Sequence, residues 1–231
     1  MKITILTGAG ISAESGLGTF RDRKGLWAQV DLEDVATPEG FARDPERVHE
    51  FYNQRREGLL AARPNAAHEA IARLGKALGP QLVLITQNID DLHERAGSPS
   101  VIHMHGELLS ALCNHCEHRW RWEGRMSTED FCAACFASGG VRPDVVWFGE
   151  MPYRMEEIHD HVTGSNLFVA IGTSGQVYPA AGFVADAKLG GAATIEINLE
   201  QTDHSGMFDR HLLGPATKAV PAWVDEVLGE G

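Results

Sequence analysis

The chain has 231 residues, of which 43% are hydrophobic and 23% charged, the balance of a globular protein with room for one large domain or a large and a small one. Its net charge of −12 argues against nucleic acid as the main ligand, because phosphate binding needs a basic surface. No apolar run approaches the ~20 residues of a membrane span, and neither internal repeats nor low-complexity segments occur.

The N-terminus "MKITILTGAG" enters a strand pattern at once and leaves no room for a signal or transit peptide, so a cytoplasmic location is expected. Ile3–Thr7 "ITILT" has the continuous apolar character of a strand buried on both faces. It is followed by "GAGISAESG", in which Gly8, Gly10 and Ala13 match G-x-G-x-x-G/A between a strand and an expected helix. Glycines there permit a tight turn and the close approach of a pyrophosphate to backbone N–H groups. An ordinary dehydrogenase also needs an acidic residue at the end of the next strand, about 20 residues on. Here that place falls in "VDLEDVATPEG", which is no strand, and the dehydrogenase reading is disfavoured.

Residues 30–64 are helical and charged in pattern. Asp44 is placed to cap a helix, with Pro45 in its first position and Glu46 in its first turn. Val48, Phe51, Tyr52, Arg55 and Leu59 then share one face. Arg55 falls near the middle of that apolar stripe, at about 340° on a wheel starting at Val48, while Arg56 turns away from it. An inward guanidinium needs a partner; an ion pair with a core carboxylate and a bound anionic ligand are both open.

Further on, a helix is expected over residues 65–78 and strands over Leu82–Thr86, Leu167–Ile171 and residues 194–198, with another helix over 180–189. Strands alternating with helices imply a doubly wound, Rossmann-like α/β sheet. Polar groups follow the strand ends, where such sheets bind ligands: Gln87, Asn88, Ile89 and Asp90 in "QNID", Gly172, Thr173 and Ser174 in "GTS", and Asn198, Leu199 and Glu200 in "NLE". His103 and His105 stand two apart and would share a face of a strand; one just before a glycine, opposite the polar cluster, is a candidate general base. Residues 109–142 hold all four cysteines: Cys113, Cys116, Cys132 and Cys135, spaced C-x2-C-x15-C-x2-C. That spacing suits a closed four-thiolate zinc site with no open position, hence a structural metal. Disulfides are the alternative, which a cytosolic chain disfavours. His115 and His118 are spare ligands or surface residues. Residues 30–64 and 109–142 look like insertions forming a smaller domain, against a Rossmann-like domain of residues 1–29, 65–108 and 143–231.

Taken together, "GAGIS", "TQNID", "HGE", the two CxxC pairs, "WFGE", "GTS" and "NLE" resemble, in order and over almost the whole chain, the sirtuin family of NAD-dependent protein deacylases. The resemblance implies that NAD is a consumed co-substrate, that acyl-lysine proteins or peptides are the other substrate, and that a zinc-ribbon and helical domain faces the Rossmann-like one across the site. The acyl oxygen would attack C1′ of the nicotinamide ribose as nicotinamide leaves. His105 matches the base that draws a proton from a ribose hydroxyl so that this oxygen attacks the acyl-imidate carbon. Free lysine, nicotinamide and O-acyl-ADP-ribose would result. Cofactor contacts carry over to Gly8, Ala9, Gly10, Ser12, Glu14, Phe20, Arg21, Trp27, Gln87, Asn88, Ile89, Asp90, Gly172, Thr173, Ser174, Asn198, Leu199, Glu200 and Ala216. Val146, Trp147, Phe148, Gly149 and Glu150, "VWFGE", look like a strand that pairs with the substrate backbone. Many sirtuins carry Asp-Phe-Arg in the cofactor loop; this chain has "TFR", with Thr19. With "FYNQRR" and "VVWFGE", that variant resembles the class that removes acidic acyl groups such as succinyl and malonyl, and Tyr52 and Arg55 match its carboxylate-binding residues. A sirtuin-like protein ADP-ribosyltransferase would use the same cleft; a non-catalytic zinc-ribbon interaction module would need neither His105 nor "QNID".

Overall fold

The computed structural model describes residues 1–18 and 31–230. Six strands form one parallel sheet: β1 (Ile3–Thr7), β2 (Leu82–Thr86), β3 (Ile102–His103), β7 (Leu167–Ile171), β8 (Ala193–Asn198) and β9 (Arg210–Leu213), in the order β3-β2-β1-β7-β8-β9. Numbered within this sheet, that is 3-2-1-4-5-6, the Rossmann order, and the chain changes direction between β1 and β7. The register is unbroken along that seam, from Ile3 opposite Leu167 to Thr7 opposite Ile171. β1 and β7 are buried at every position, as their uninterrupted apolar runs require.

Helices α4 (Ala66–Leu78) and α8 (Ala216–Leu228) cover one face through Ile71, Leu74, Trp223 and Val224 against Ile3, Ile5, Leu84, Val169 and Ile197. α6 (Met155–Thr163) and α7 (Phe183–Leu189) cover the other through Ile158, Val162, Phe183 and Val184 against Leu6, Ile85, Phe168 and Ala170. α4 begins where the sequence suggests, capped by Asn65, whose side chain accepts from Ala67 N–H at 2.9 Å. The helix expected over residues 180–189 begins late: residues 180–182 form a 3-10 turn before α7.

The second sheet is antiparallel: β4 (Gly106–Cys113) between β5 (Arg119–Arg121) and β6 (Val141–Val145). Residues 109 and 142 therefore lie inside β4 and β6. Against it pack α1 (Leu32–Val35), α2 (Pro38–Arg43) and α3 (Pro45–Ala61), burying Val35, Phe41, Val48, Phe51, Tyr52 and Leu59 with Leu108, Val145 and Trp147. Asp44 caps α3 by accepting from Arg47 N–H at 3.0 Å, with Pro45 at its first position. One detail of α3 corrects the helical-wheel reading. Arg56, not Arg55, is the fully buried arginine, 1% exposed, its Nε donating to Leu108 O at 3.2 Å and its Nη1 to Asn53 Oδ1 at 2.8 Å. Arg55 is half-buried. The buried face of α3 is wider than a single stripe because β4 packs on one flank, and the Leu108 carbonyl offers Arg56 an acceptor.

Beyond β4 and β6 the core thins to Ala111, Cys113, Met126, Cys132 and Val141. A cluster that small does not hold a fold by burial alone. Here the cysteines converge: the four Sγ atoms lie within 4.8 Å of one another, with Cys113 to Cys135 at 3.7 Å and Cys116 to Cys132 at 3.6 Å. Four ligands about 2.3 Å from one ion at tetrahedral angles stand about 3.8 Å apart, so the thiols are spaced for a zinc ion. Each CxxC turn also aims a backbone N–H at its first sulfur, His115 at Cys113 (3.4 Å) and Ala134 at Cys132 (3.3 Å), which supports thiolate charge. The residue after each pair, Glu117 and Phe136, is left-handed, with φ of 58° and 60°. His115 and His118 stay outside the cluster; His118 stacks on Trp120.

Metal analysis should find one zinc ion per chain, and a Cys132→Ser variant or prolonged chelation should release it. The metal contributes on the order of 10 kcal/mol to such small units, so hydrogen exchange over residues 113–140 should rise to the unprotected limit. Unchanged protection in zinc-free protein would contradict this.

Candidate functional site

The site grows from the seam between β1 and β7. Gly8 N–H donates to Ile171 O at 3.0 Å and Gly10 N–H to Gly172 O at 2.9 Å. A Cβ on Gly10 would stand 2.7 Å from Gly172 Cα, and Gly172 itself has φ of +62°. The glycines at Gly8, Gly10 and Gly172 thus serve the contact between two loops as well as openness to a ligand. The helix expected after "GAGIS" is replaced by two 3-10 turns, Ala9–Ile11 and Ala13–Ser15.

The loop after β2 closes onto this floor. Asn88 Nδ2 donates to Gly8 O (3.1 Å) and Ser12 Oγ (3.3 Å), and Ser12 Oγ donates to Asp90 Oδ2 (2.9 Å). Asp90 Oδ1 accepts from Leu92 N–H at 3.2 Å; burial raises its carboxyl above the ordinary value, with the bonds to Leu92 and Ser12 opposing. Beneath Ser12 lies His68, which sequence reasoning missed as a site residue. Its Nδ1 accepts from the backbone of Asn65, so Nε2 carries the proton toward Ser12 Oγ at 3.4 Å. Its position at the third residue of α4, completing the cap begun by Asn65, was the available signal. His93 packs against it at 4.9 Å between ring centres and reaches Thr7 Oγ1 at 3.1 Å.

The two histidines of "VIHMHGE" do not share a strand face as expected. His103 ends β3, and His105 stands in the turn before β4, because Gly106, with φ of +79°, reverses the chain where a Cβ would come within 2.1 Å of Asp144 O. Each is tied to the "TQNID" loop: His103 Nδ1 to Asn88 O at 3.2 Å and His105 Nδ1 to Gln87 O at 3.0 Å. A carbonyl only accepts, so Nδ1 bears the proton in both. His103 also engages Glu94 Oε1 through Nε2 at 2.8 Å; burial pushes its pKa down, but the Glu94 carboxylate outweighs this and raises it. His105 Nε2 has no hydrogen-bond partner among the described residues, and burial holds its pKa below the ordinary value against the Gln87 bond. His105 is therefore a neutral base with an open lone pair.

On the far wall, "VWFGE" is a loop rather than a strand. Val146 and Phe148 N–H are already donated to His105 O and Ala36 O, both at 2.9 Å, and Trp147 N–H bonds Glu150 Oε2 at 2.8 Å across Gly149. Tyr52, 1% exposed, accepts from Trp147 Nε1 at 3.0 Å, and the Arg55 guanidinium stands 5.7 Å from the Tyr52 ring centre. At the other end, Asn198 Nδ2 donates to Thr173 O at 2.7 Å and its Oδ1 accepts from Leu199 N–H at 3.0 Å. Ser174 Oγ accepts from Gln176 N–H at 3.2 Å. Glu14 caps α8 through Thr217 N–H (3.0 Å) and Oγ1 (2.8 Å), beside Ala216. Ile89 O accepts from Leu108 N–H at 2.8 Å, while Glu200 is exposed past the end of β8. Phe20, Arg21 and Trp27, with Thr19, lie outside the described residues. Among the described residues no helix is long and apolar enough to cross a membrane.

The buried histidines set an acid limit. Burial pushes His49 and His68 down to about 4, against smaller opposing effects of Asp130 and Glu94. An unfolded histidine titrates near 6.5, so the unfolded chain binds more protons below that pH. The stability is whole above about 6.5 and is lost as pH falls toward 4. Urea unfolding should show the stability declining from pH 7 to pH 5 by up to about 1.4 kcal/mol per pH unit for each histidine, and a His68→Gln variant should have the flatter profile.

Comparison with known proteins agrees with this arrangement. The Sir2 family model matches residues 8–179. An NAD-dependent protein deacylase of Caulobacter vibrioides is 57% identical over 231 residues, covering 99% of this chain and 97% of that protein. A protein of the same name from Escherichia coli strain K12 is 53% identical over 229 residues, covering 98% and 82%. Among solved structures, a Sir2 homologue in complex with NAD aligns with a TM-score of 0.90 at 40% identity, over 99% of this chain and 90% of that one. A Sir2 protein with a deacetylated p53 peptide and 3′-O-acetyl ADP-ribose aligns at 0.83 and 29%, over 100% and 93%. With its Rossmann-order sheet, four-cysteine module and a family match spanning "GAGIS", "TQNID", "HGE" and "WFGE", the chain belongs to the Sir2 family.

Proposed function

We propose that this NAD-dependent protein deacylase removes succinyl and malonyl groups, as well as acetyl, from protein lysines, releasing nicotinamide and O-acyl-ADP-ribose. The observation that carries the acidic-acyl reading is the pairing of Tyr52 and Arg55 on α3, with the Tyr52 hydroxyl bonded to Trp147 of the loop that also binds the His105 carbonyl. That places a hydroxyl and a guanidinium one helical turn apart beside the catalytic wall. A planar guanidinium fork takes a carboxylate bidentately and a hydroxyl adds a further bond. Burial lowers the Arg55 pKa while Tyr52 and the Asp90 carboxylate oppose this; the guanidinium stays charged in any case.

In this reading NAD supplies an ADP-ribosyl group with nicotinamide as its leaving group. Gly8, Ala9, Gly10, Gly172, Thr173 and Ser174 hold its phosphates and adenosine side along the β1–β7 seam, with Glu14, Asn198, Leu199, Glu200 and Ala216 beyond. Ser12, Gln87, Asn88, Ile89 and Asp90 serve the ribose and nicotinamide, a role the resemblance also gives to Phe20 and Arg21, with Trp27 a further cofactor contact. His105 takes a ribose hydroxyl proton on Nε2 while Gln87 fixes its tautomer. The 146–150 loop aligns the substrate backbone. Residues 1–29, 65–108 and 143–231 act as the NAD-binding domain, and 30–64 with 109–142 as the smaller one.

Replacing His105 by alanine should lower turnover on either acyl peptide by about 10²–10⁴, the usual general-base contribution, with little change in melting temperature. His103→Ala, whose ring is already bonded at both nitrogens, should lose less. Arg55→Met should lower desuccinylation efficiency by about 10²–10³, since losing one partner of a desolvated charge pair costs roughly 3–5 kcal/mol. Deacetylation should fall far less, and Tyr52→Phe should act in the same sense more mildly. Mass-spectrometric assays on matched succinyl- and acetyl-lysine peptides, run beside thermal melts, decide the matter. A common fall in both activities together with the melting temperature would mean that Arg55 is a structural ion-pair partner instead.

A further inference from the structure

Trp147 is 2% exposed, and its indole N–H is spent on the Tyr52 hydroxyl at 3.0 Å. The polarity of that bond is fixed by chemistry. An indole nitrogen donates and has no lone pair with which to accept, so the Tyr52 oxygen is the acceptor and its own proton remains to be given elsewhere. Among the described residues nothing accepts it. Tyr52 lies among Phe51, Val145 and Leu108, where an unbonded hydroxyl proton is unfavourable.

Trp147 is itself gripped. Arg142, 3% exposed, stacks with its Cζ 3.5 Å from the centre of the Trp147 ring. Its Nη1 and Nη2 take the two Glu150 oxygens at 2.7 and 2.8 Å, and Nη2 also donates to Val145 O at 2.7 Å. Glu150 returns to the Trp147 backbone N–H at 2.8 Å, and Phe41 packs on the indole at 5.3 Å between ring centres. Arg142 over the ring and Phe41 beside it fix the plane of the indole, with its N–H on the Tyr52 hydroxyl. A cation over the ring face also draws on its electron density, which strengthens the N–H as a donor.

We propose that Trp147, clamped by Arg142 and Glu150, is a specificity-determining positioning residue: its indole N–H occupies the acceptor side of the Tyr52 hydroxyl and thereby commits the hydroxyl proton to an anionic acyl group. A carboxylate accepts that proton; the methyl of an acetyl group does not. The inference rests on the acidic-acyl reading and adds a residue that touches no substrate atom through its indole nitrogen.

The test is a double-mutant cycle on succinyl-lysine and acetyl-lysine peptides of one sequence, with wild type, Tyr52→Phe, Trp147→Phe and the double variant. Trp147→Phe keeps an aromatic ring under Arg142 and removes the N–H. It should lower the succinyl-to-acetyl ratio of kcat/KM about five- to tenfold, the size of one hydrogen bond, through KM for the succinyl peptide. In the Tyr52→Phe background it should move that ratio less than about twofold, because the proton it orients is gone. Should Trp147→Phe fold poorly, 3-benzothienylalanine introduced at position 147 replaces the N–H by sulfur at nearly constant shape and is expected to give the same ratio change. If Tyr52→Phe moves the ratio and neither change at Trp147 does, or if the Trp147 effect persists undiminished without the Tyr52 hydroxyl, the inference is overturned and the acidic-acyl reading stands. If Tyr52→Phe itself leaves the ratio unmoved, the reading falls and the inference with it.

Discussion

Two parallel strands, β1 and β7, run side by side and release their chains in the same direction, and the backbones that leave them touch. Gly10 meets Gly172 at a distance that admits no side chain, and the loop after β1 donates two N–H groups, from Gly8 and Gly10, to the carbonyls of Ile171 and Gly172 across the seam. Everything above depends on that floor. Asn88 bonds Gly8 O, Ser12 is held between Asn88 and Asp90, and His68 supports Ser12 from below. A larger residue at Gly10 would part the loops and withdraw the acceptor that orients Asn88. The polar cluster is thus a consequence of strand order, and strand order follows from uninterrupted apolar runs that tolerate only a sheet covered on both faces.

The second sheet reaches the floor through Leu108, whose N–H bonds Ile89 O, and through one histidine. His105 donates its Nδ1 proton to Gln87 O, at the end of β2, and accepts Val146 N–H on its own carbonyl, at the end of β6. The residue that leaves its Nε2 open among the described residues is therefore also a joint between the two sheets. Its tautomer and its place have the same cause, so a shift between sheets would misplace the lone pair. His103, two residues earlier, is anchored to the same loop but closed by Glu94, which keeps it structural and cationic in tendency while His105 stays neutral.

Four strands of the main sheet, β1, β2, β7 and β8, were legible in the sequence as short, mostly apolar runs, and β1, β2 and β7 have the expected limits; β3, two residues long, was not. β9 "RHLL" was not either, since four residues at a sheet edge, two exposed and two half-buried, carry neither alternation nor a buried run. The cysteine spacing foretold the convergence of the thiols, which depends on two local turns. Where expectation failed, a backbone event not encoded by side-chain period was responsible. The chain reverses at Gly106 and separates His105 from β3, 3-10 turns replace a helix after Gly8, and hydrogen bonds to His105 and Ala36 hold residues 146–150 as a loop. The choice between Arg55 and Arg56 on α3 was beyond a helical wheel, which ranks directions but does not know that Leu108 presents a carbonyl on one flank.

That choice bears on what buried arginines are for. Arg56 and Arg142 are both almost fully buried, and a well-packed apolar residue often holds a fold at least as well as a buried ion pair. Arg56 gives Nε to Leu108 O and Nη1 to Asn53, leaving Nη2 without a hydrogen-bond partner among the described residues, and Asn53 in turn brackets Met126 N–H and O at 2.8 and 2.9 Å, so α3 is fastened to the cysteine module. Arg142 fastens nothing distant: its partners are Glu150, Val145 and the face of Trp147, all within nine residues of chain. A leucine there would fill the space but would leave Glu150 without its cation and the indole without a fixed plane. What the ion pair secures is direction, carried from guanidinium to indole to phenol, a property that burial of apolar surface does not supply.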